Sequence, residues 1–145
     1  MTKKRATTTA TTTTKAAGSR KKKLPSEVTN AVAAALDKKA SDIVVLDLRH
    51  TPAFTDFFVV CSGQNSRQVK AIADNIEDTL RQAGARPAHV EGYDRAEWIL
   101  LDFFTLIVHV FAPQKRDFYG LERLWGDAIR IEIADDAPAP KSAQA

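Results

Sequence analysis

The chain predicts an α/β fold of the α+β kind, a mixed five-stranded sheet packed with helices. Three observations carry that expectation. Short apolar runs rich in β-branched residues recur between Ile43 and Phe111. Stretches of helical periodicity flank and separate them. The last two runs stand only a few residues apart, as in an antiparallel hairpin.

Taken in order, Pro25 and Ser26 open a helix whose Val28, Val32, Ala35 and Leu36 fall on one stripe. Ile43 to Leu48 reads as a buried strand, and Thr51-Pro52 breaks the pattern. Phe57 to Cys61 is a second strand ending at Gly63. Ser66 is the expected cap of a longer helix that turns Val69, Ile72, Ala73, Ile76 and Leu80 to one side, and Gly84 stops it. Arg86 to Glu91, Trp98 to Phe103 and Leu106 to Phe111 supply the third, fourth and fifth strands. Pro113 leads into a final helix, followed by Gly126. On that helix Phe118, Leu121, Leu124 and Trp125 share an inward arc, and Tyr119 is offset by about 100°. The order is therefore α-β-β-α-β-β-β-α. Neither face of the Trp98 to Phe103 strand is clearly polar, so both faces of the sheet are expected to be covered. Three helices leave part of such a sheet bare, and an uncovered aromatic patch there would be a docking surface.

Composition narrows the function classes. The chain has 145 residues, enough for one domain at 24–135 with tails at 1–23 and 136–145 that are too polar and repetitive to fold. Eight of the 21 Lys and Arg residues, and none of the 18 Asp and Glu residues, lie in Met1 to Lys23. The remainder is thus acidic, with 13 basic residues against 18 acidic ones, and the overall pI of about 9.1 misleads. A folded nucleic-acid-binding domain shows the opposite asymmetry. Cys61 is the single cysteine, which rules out an internal disulfide and suits a cytoplasmic protein. No apolar run approaches the roughly 18 residues of a membrane span, and the first 23 residues lack the apolar centre of a secretory signal.

Few residues suggest chemistry. His50, His89 and His109 are scattered without metal-ligand spacing, so neither metal nor cofactor is expected. His109, in L-I-V-H-V-F, shares a strand face with Ile107 and Phe111 and reads as an imidazole bonded to a neighbour. Cys61 reads as a small core residue. Trp98 has two readings, a core aromatic or an interface anchor. Tyr119 also has two, a docking residue or part of a frayed last helix. Glu91, Glu97 and Asp102 stand close to Trp98 in sequence, either as an acidic rim suited to a basic partner or as an ordinary solvated edge.

The markers D-I-V-V-L-D-L at Asp42–Leu48, T-D-F-F-V-V-C-S-G at Thr55–Gly63 and N-S-R-Q-V-K-A-I-A-D-N-I at Asn65–Ile76 continue with V-E-G, E-W-I-L-L-D, V-H-V-F and Y-G-L-E-R-L-W. In order and spacing they resemble the ribosomal silencing factor family (RsfS, or Iojap-related proteins) over roughly Pro25 to Asp127. The resemblance implies a nucleotidyltransferase-like fold without catalysis. It also implies docking on the large ribosomal subunit through ribosomal protein L-fourteen, so that the small subunit cannot join and translation falls in starvation or stationary phase. Large-subunit maturation and a homodimer are further implications. The Trp of E-W-I-L-L-D and the Tyr of Y-G-L-E-R-L-W belong to the ribosome-facing surface in the family, which tips Trp98 and Tyr119 towards anchors. The basic tail adds a weak contact with rRNA phosphates. An enzyme is the alternative, since Ser62-Gly63 precedes a helix as in nucleotidyltransferases, but no D-x-D pair follows. Where relatives often place Gly and an acidic residue in the hairpin turn, this chain has Phe104-Thr105, so a turn without positive φ is expected.

Overall fold

The computed structural model describes residues 24–134, and the tails expected at 1–23 and 136–145 lie outside the described residues. Helix α1 (Ser26–Asp37) buries Val28, Val32 and Ala35 of its expected stripe together with Ala31, and leaves Leu36 half-buried. Its small side chains let α2 (Ser66–Gln82) pack alongside, where the Asn75 carboxamide donates to the Ala34 carbonyl at 2.9 Å. Helix α2 buries the expected Val69, Ile72, Ala73, Ile76 and Leu80. Its cap is Asn65 rather than Ser66: the Asn65 side chain accepts the Gln68 N–H at 2.9 Å, and Ser66 is already helical.

Among the described residues six strands form one sheet, one more than expected. They are β1 (Ser41–Asp47), β2 (Phe57–Ser62), β3 (His89–Glu91), β4 (Trp98–Asp102), β5 (Leu106–Phe111) and β6 (Ile129–Glu132), in the order β3-β4-β5-β2-β1-β6. The pair β2–β5 is parallel, with Val59 opposite Val108, and the other four pairs are antiparallel. A parallel pair needs a crossover, and the α2–β3–β4 segment supplies it. Every residue of β2 and β5 is buried. One sheet face packs Val45, Val59, Val108, Val110, Ile99 and Leu101 against α1 and α2. The opposite face presents Val44, Leu46, Phe58, Val60, Ile107 and Phe111.

Cover on that second face is incomplete, and the reason lies in the last helix. It is two short helices, α3 (Pro113–Tyr119) and α4 (Leu121–Leu124), broken at Gly120 with φ 60°. The break cancels the expected inward arc. Leu121 and Trp125 do pack on the second face, but Phe118 and Leu124 are each 75% exposed. Arg116 pins the break by a two-pronged bond to Glu122, at 2.8 and 3.2 Å, and Arg130 of β6 reaches Glu122 at 2.6 Å. Strand β3 is shorter than Arg86–Glu91 because only three residues pair with β4. Strand β6 follows Gly126, and its Ile-Arg-Ile-Glu alternation is the signal that the sequence reading passed over. Among the described residues no helix is long and apolar enough to cross a membrane.

The β4–β5 hairpin corrects a further expectation. Phe104 does adopt positive φ, 72°. The Thr105 N–H donates to the Phe103 carbonyl at 2.9 Å, which closes a γ-turn around Phe104. Two side chains hold this strained residue in place. Asp102 Oδ1 accepts the Phe104 N–H at 2.8 Å, and the buried Thr55 hydroxyl donates to its carbonyl at 2.6 Å. Phe104→Gly should therefore raise folding stability by about 0.5–1 kcal/mol, the left-handed penalty less the entropy cost of glycine. Urea unfolding measures it, and a variant no more stable than wild type would show that the turn holds no strain.

Candidate macromolecular docking face

Strand partners share a sheet face, so the register defines the second face, on which β3 is exposed, β4 is half-buried and β5 is buried. Trp98, Leu100 and Asp102 of β4 lie with Phe111, His109 and Ile107 of β5 and with Glu91 and His89 of β3. Along β4 these three are half-buried, whereas Ile99 and Leu101 are fully buried on the helical face.

The sequence-predicted Trp98 and Tyr119 come together at one end, with ring centroids 4.5 Å apart. Trp98 stacks on Phe111 at 5.0 Å, and Tyr119 meets Phe118 edge-on at 5.1 Å. Phe111 is the floor of this group. Phe118, 75% exposed beside the 42% exposed Tyr119, is its outer rim. Phe118 escaped the sequence reading because the helical period was carried through Gly120, where the helix in fact stops.

His109 is 2% exposed and lies beneath Trp98, where it positions the indole and does not itself face solvent. The Trp98 Nε1–H donates to His109 Nδ1 at 3.0 Å, which fixes the imidazole as the Nε2–H tautomer. Among the described residues Nε2 has no hydrogen-bond partner, and the Phe58 ring stands edge-on to the imidazole at 4.6 Å. Burial lowers the His109 pKa to about 3, so the ring is neutral and remains an acceptor for Trp98. Protonation at Nδ1 would set donor against donor.

The three carboxylates separate. Glu91 is exposed and sits opposite Leu100, flanking the aromatic group. Glu97 pairs with Arg95 at 3.5 Å and with Lys115 of α3 at 3.9 Å, at the Trp98 end of β4. Asp102 stands at the far end, where it holds the hairpin turn. They do not form a ring around Trp98.

The Ser62-Gly63 turn lines a different hollow of about 650 Å³, together with Gln64, Arg116, Glu122 and Arg130. Two of the donors around it are engaged within the chain. The Gln64 N–H bonds to Gln68 Oε1 at 2.6 Å, and an Arg116 Nη1–H donates to the Ser62 hydroxyl at 3.1 Å. Gly63 is needed for packing, since a Cβ there would stand 2.9 Å from Val69 Cγ2. The Arg116 guanidinium beside Glu122 holds that carboxyl below the usual carboxylate range. Cys61 is fully buried, and burial pushes its thiol up to about 12, which keeps it protonated and unreactive.

Comparison with known proteins sets this face in context. A family model described as "ribosomal silencing factor during starvation" matches residues 21–145. The chain is similar to "Ribosomal silencing factor RsfS" of Bacillus subtilis, 43% identical over 103 residues, which are 71% of this chain and 87% of that protein. The protein of the same name from Halalkalibacterium halodurans is 40% identical over 103 residues, 71% of this chain and 88% of that one. A crystal structure of a Chromobacterium violaceum protein superposes with a TM-score of 0.68 at 33% identity, covering 80% of this chain and 94% of that one.

The buried imidazole predicts a pH dependence. Unfolded, His109 takes up a proton near its ordinary 6.5; folded, only near 3. Between those values the unfolded state binds the extra proton, so stability is fully present above pH 6.5 and falls as pH drops, by up to about 1.4 kcal/mol per unit. Urea unfolding at several pH values between 4.5 and 7.5 should show a shallower slope for His109→Phe than for wild type. Coincident slopes would mean that another group titrates.

Proposed function

The chain belongs to the ribosomal silencing factor family, and from that premise we propose that its Trp98–Tyr119 face docks on the large ribosomal subunit and keeps the small subunit from joining. The contact in this reading is ribosomal protein L-fourteen. The mechanism is steric: the bound domain fills space that an intersubunit bridge needs, no bond is made or broken, and inhibition follows occupancy.

The observation that carries the reading is the open sheet face on which Trp98, Tyr119 and Phe118 gather over buried His109 and Phe111. Trp and Tyr are the residues most enriched at interface hot spots, because they combine large area with few rotors. Here the indole is also fixed before binding by its bond to His109, which lowers the entropy cost of docking. The nearby exposed Glu91 complements a basic protein partner and speeds encounter.

Subunit joining tests the proposal. Trp98→Ala and Tyr119→Ala should each raise the concentration needed to block joining by about tenfold or more, with circular dichroism unchanged. Folded variants that block joining as wild type does would remove this face from the mechanism.

Residues 1–23 carry eight positive charges and no acidic residue, and in this proposal they contact rRNA phosphates and raise the local concentration near the docking site. Deleting them should weaken large-subunit binding and flatten its dependence on salt. An unaltered salt slope would exclude the tail.

A further inference from the structure

We propose that the same sheet face carries a second anchor at its far end, the exposed rings of Phe54 and Phe104, and that this anchor fits a basic protein surface. The proposal rests on the reading that the Trp98–Tyr119 face docks, and it names the chemistry of what the docked partner must present.

Phe54 is 85% exposed and Phe104 70% exposed. Both line one hollow of about 280 Å³, with Asp56, His89 and Asp102 on its walls. Neither ring belongs to the core clusters, so the fold gains nothing from their being aromatic. Phe104 carries two costs at once, an apolar ring in water and a left-handed backbone. The chain nevertheless fixes it firmly. Asp102 holds its N–H, Thr55 holds its carbonyl, and the Asp56 and Phe57 N–H groups both donate to the next carbonyl, Thr105, at 3.1 Å. With its backbone so fixed, the ring loses only its own side-chain rotations on docking.

Charge selects the occupant. Asp56 and Asp102 line the hollow, and Glu27 accepts the hydroxyl of Thr105, another lining residue, at 3.2 Å. Such a wall repels RNA phosphates and welcomes Lys or Arg, whose cations also sit favourably over phenyl faces. Position selects it too. Asp102 shares the β4 face with Trp98, four residues away, or about 13 Å at strand rise. A single rigid protein surface with basic residues around an apolar projection spans both anchors.

The test measures binding of the full chain to purified large ribosomal subunits. Variants are Phe104→Gly, Phe54→Ser and Trp98→Ala, with urea unfolding of each. The expected result is that Phe104→Gly and Phe54→Ser weaken binding by about tenfold although Phe104→Gly is the more stable protein. That opposition between stability and binding is what a merely structural role would not produce. If both bind as wild type while Trp98→Ala is weakened, the second anchor is overturned and the first face stands. If all three bind as wild type, the reading beneath it falls as well. Loss of equal size on naked rRNA would make the occupant RNA, and a wild-type dimer abolished by Phe104→Gly in sedimentation would make it a second copy of the chain. Either outcome overturns the proposal.

Discussion

The constraint on which the structure turns is that β2 and β5, paired in parallel at the centre of the sheet, are apolar on both sides. Water must be kept from two faces at once. Helices α1 and α2 do this thoroughly on one side, with the small side chains of α1 allowing close approach. On the other side, among the described residues, cover comes from the broken α3–α4 segment, the aromatic residues near it and a few loop residues such as Leu48 and Ala53. What remains part-exposed on that side is therefore where apolar surface meets solvent, and the proposed docking face follows from the mismatch between sheet width and helix cover.

Within that face, burial and exposure are coupled through one hydrogen bond. Trp98 is half in the protein and half out, and its indole N–H would be costly to bury without an acceptor. His109 supplies one, at the expense of a second nitrogen that has no hydrogen-bond partner among the surrounding rings. A carboxylate in place of His109 would carry a charge into an apolar layer, and a methionine would leave the indole unpaired. Neutral imidazole meets both demands, which explains a histidine in the middle of an otherwise apolar strand.

Much of this was legible in the sequence. The hydrophobic stripes of α1 and α2, the two central strands and the hairpin follow from periodicity, and the motif order around Trp98 and Tyr119 identified the family. The failures have physical causes. A helical period was extended across Gly120, although glycine there takes up a left-handed conformation that ends α3, and Phe118 and Leu124 were turned inward as a result. The Ile129–Glu132 strand was overlooked because its residues are largely exposed, with one neighbour only. The positive φ of Phe104 was discounted on steric grounds, yet the carboxylate of Asp102 and the hydroxyl of Thr55, one of them 49 residues away, outweigh the steric term. Contacts so distant along the chain leave no periodic trace.

The strand order has a bearing on biosynthesis. β1 finds one neighbour, β2, within a few residues, but its other neighbour is β6, the final element of the described residues. Until Glu132 has been polymerised and released to fold, the backbone N–H and C=O groups along that flank of β1 stay open, the kind of edge at which nascent chains join one another. The acidic and basic side chains of β6, Arg130 and Glu132, then cap the flank with charge. A truncation just short of β6 would thus leave most of the core intact while uncovering an adhesive border.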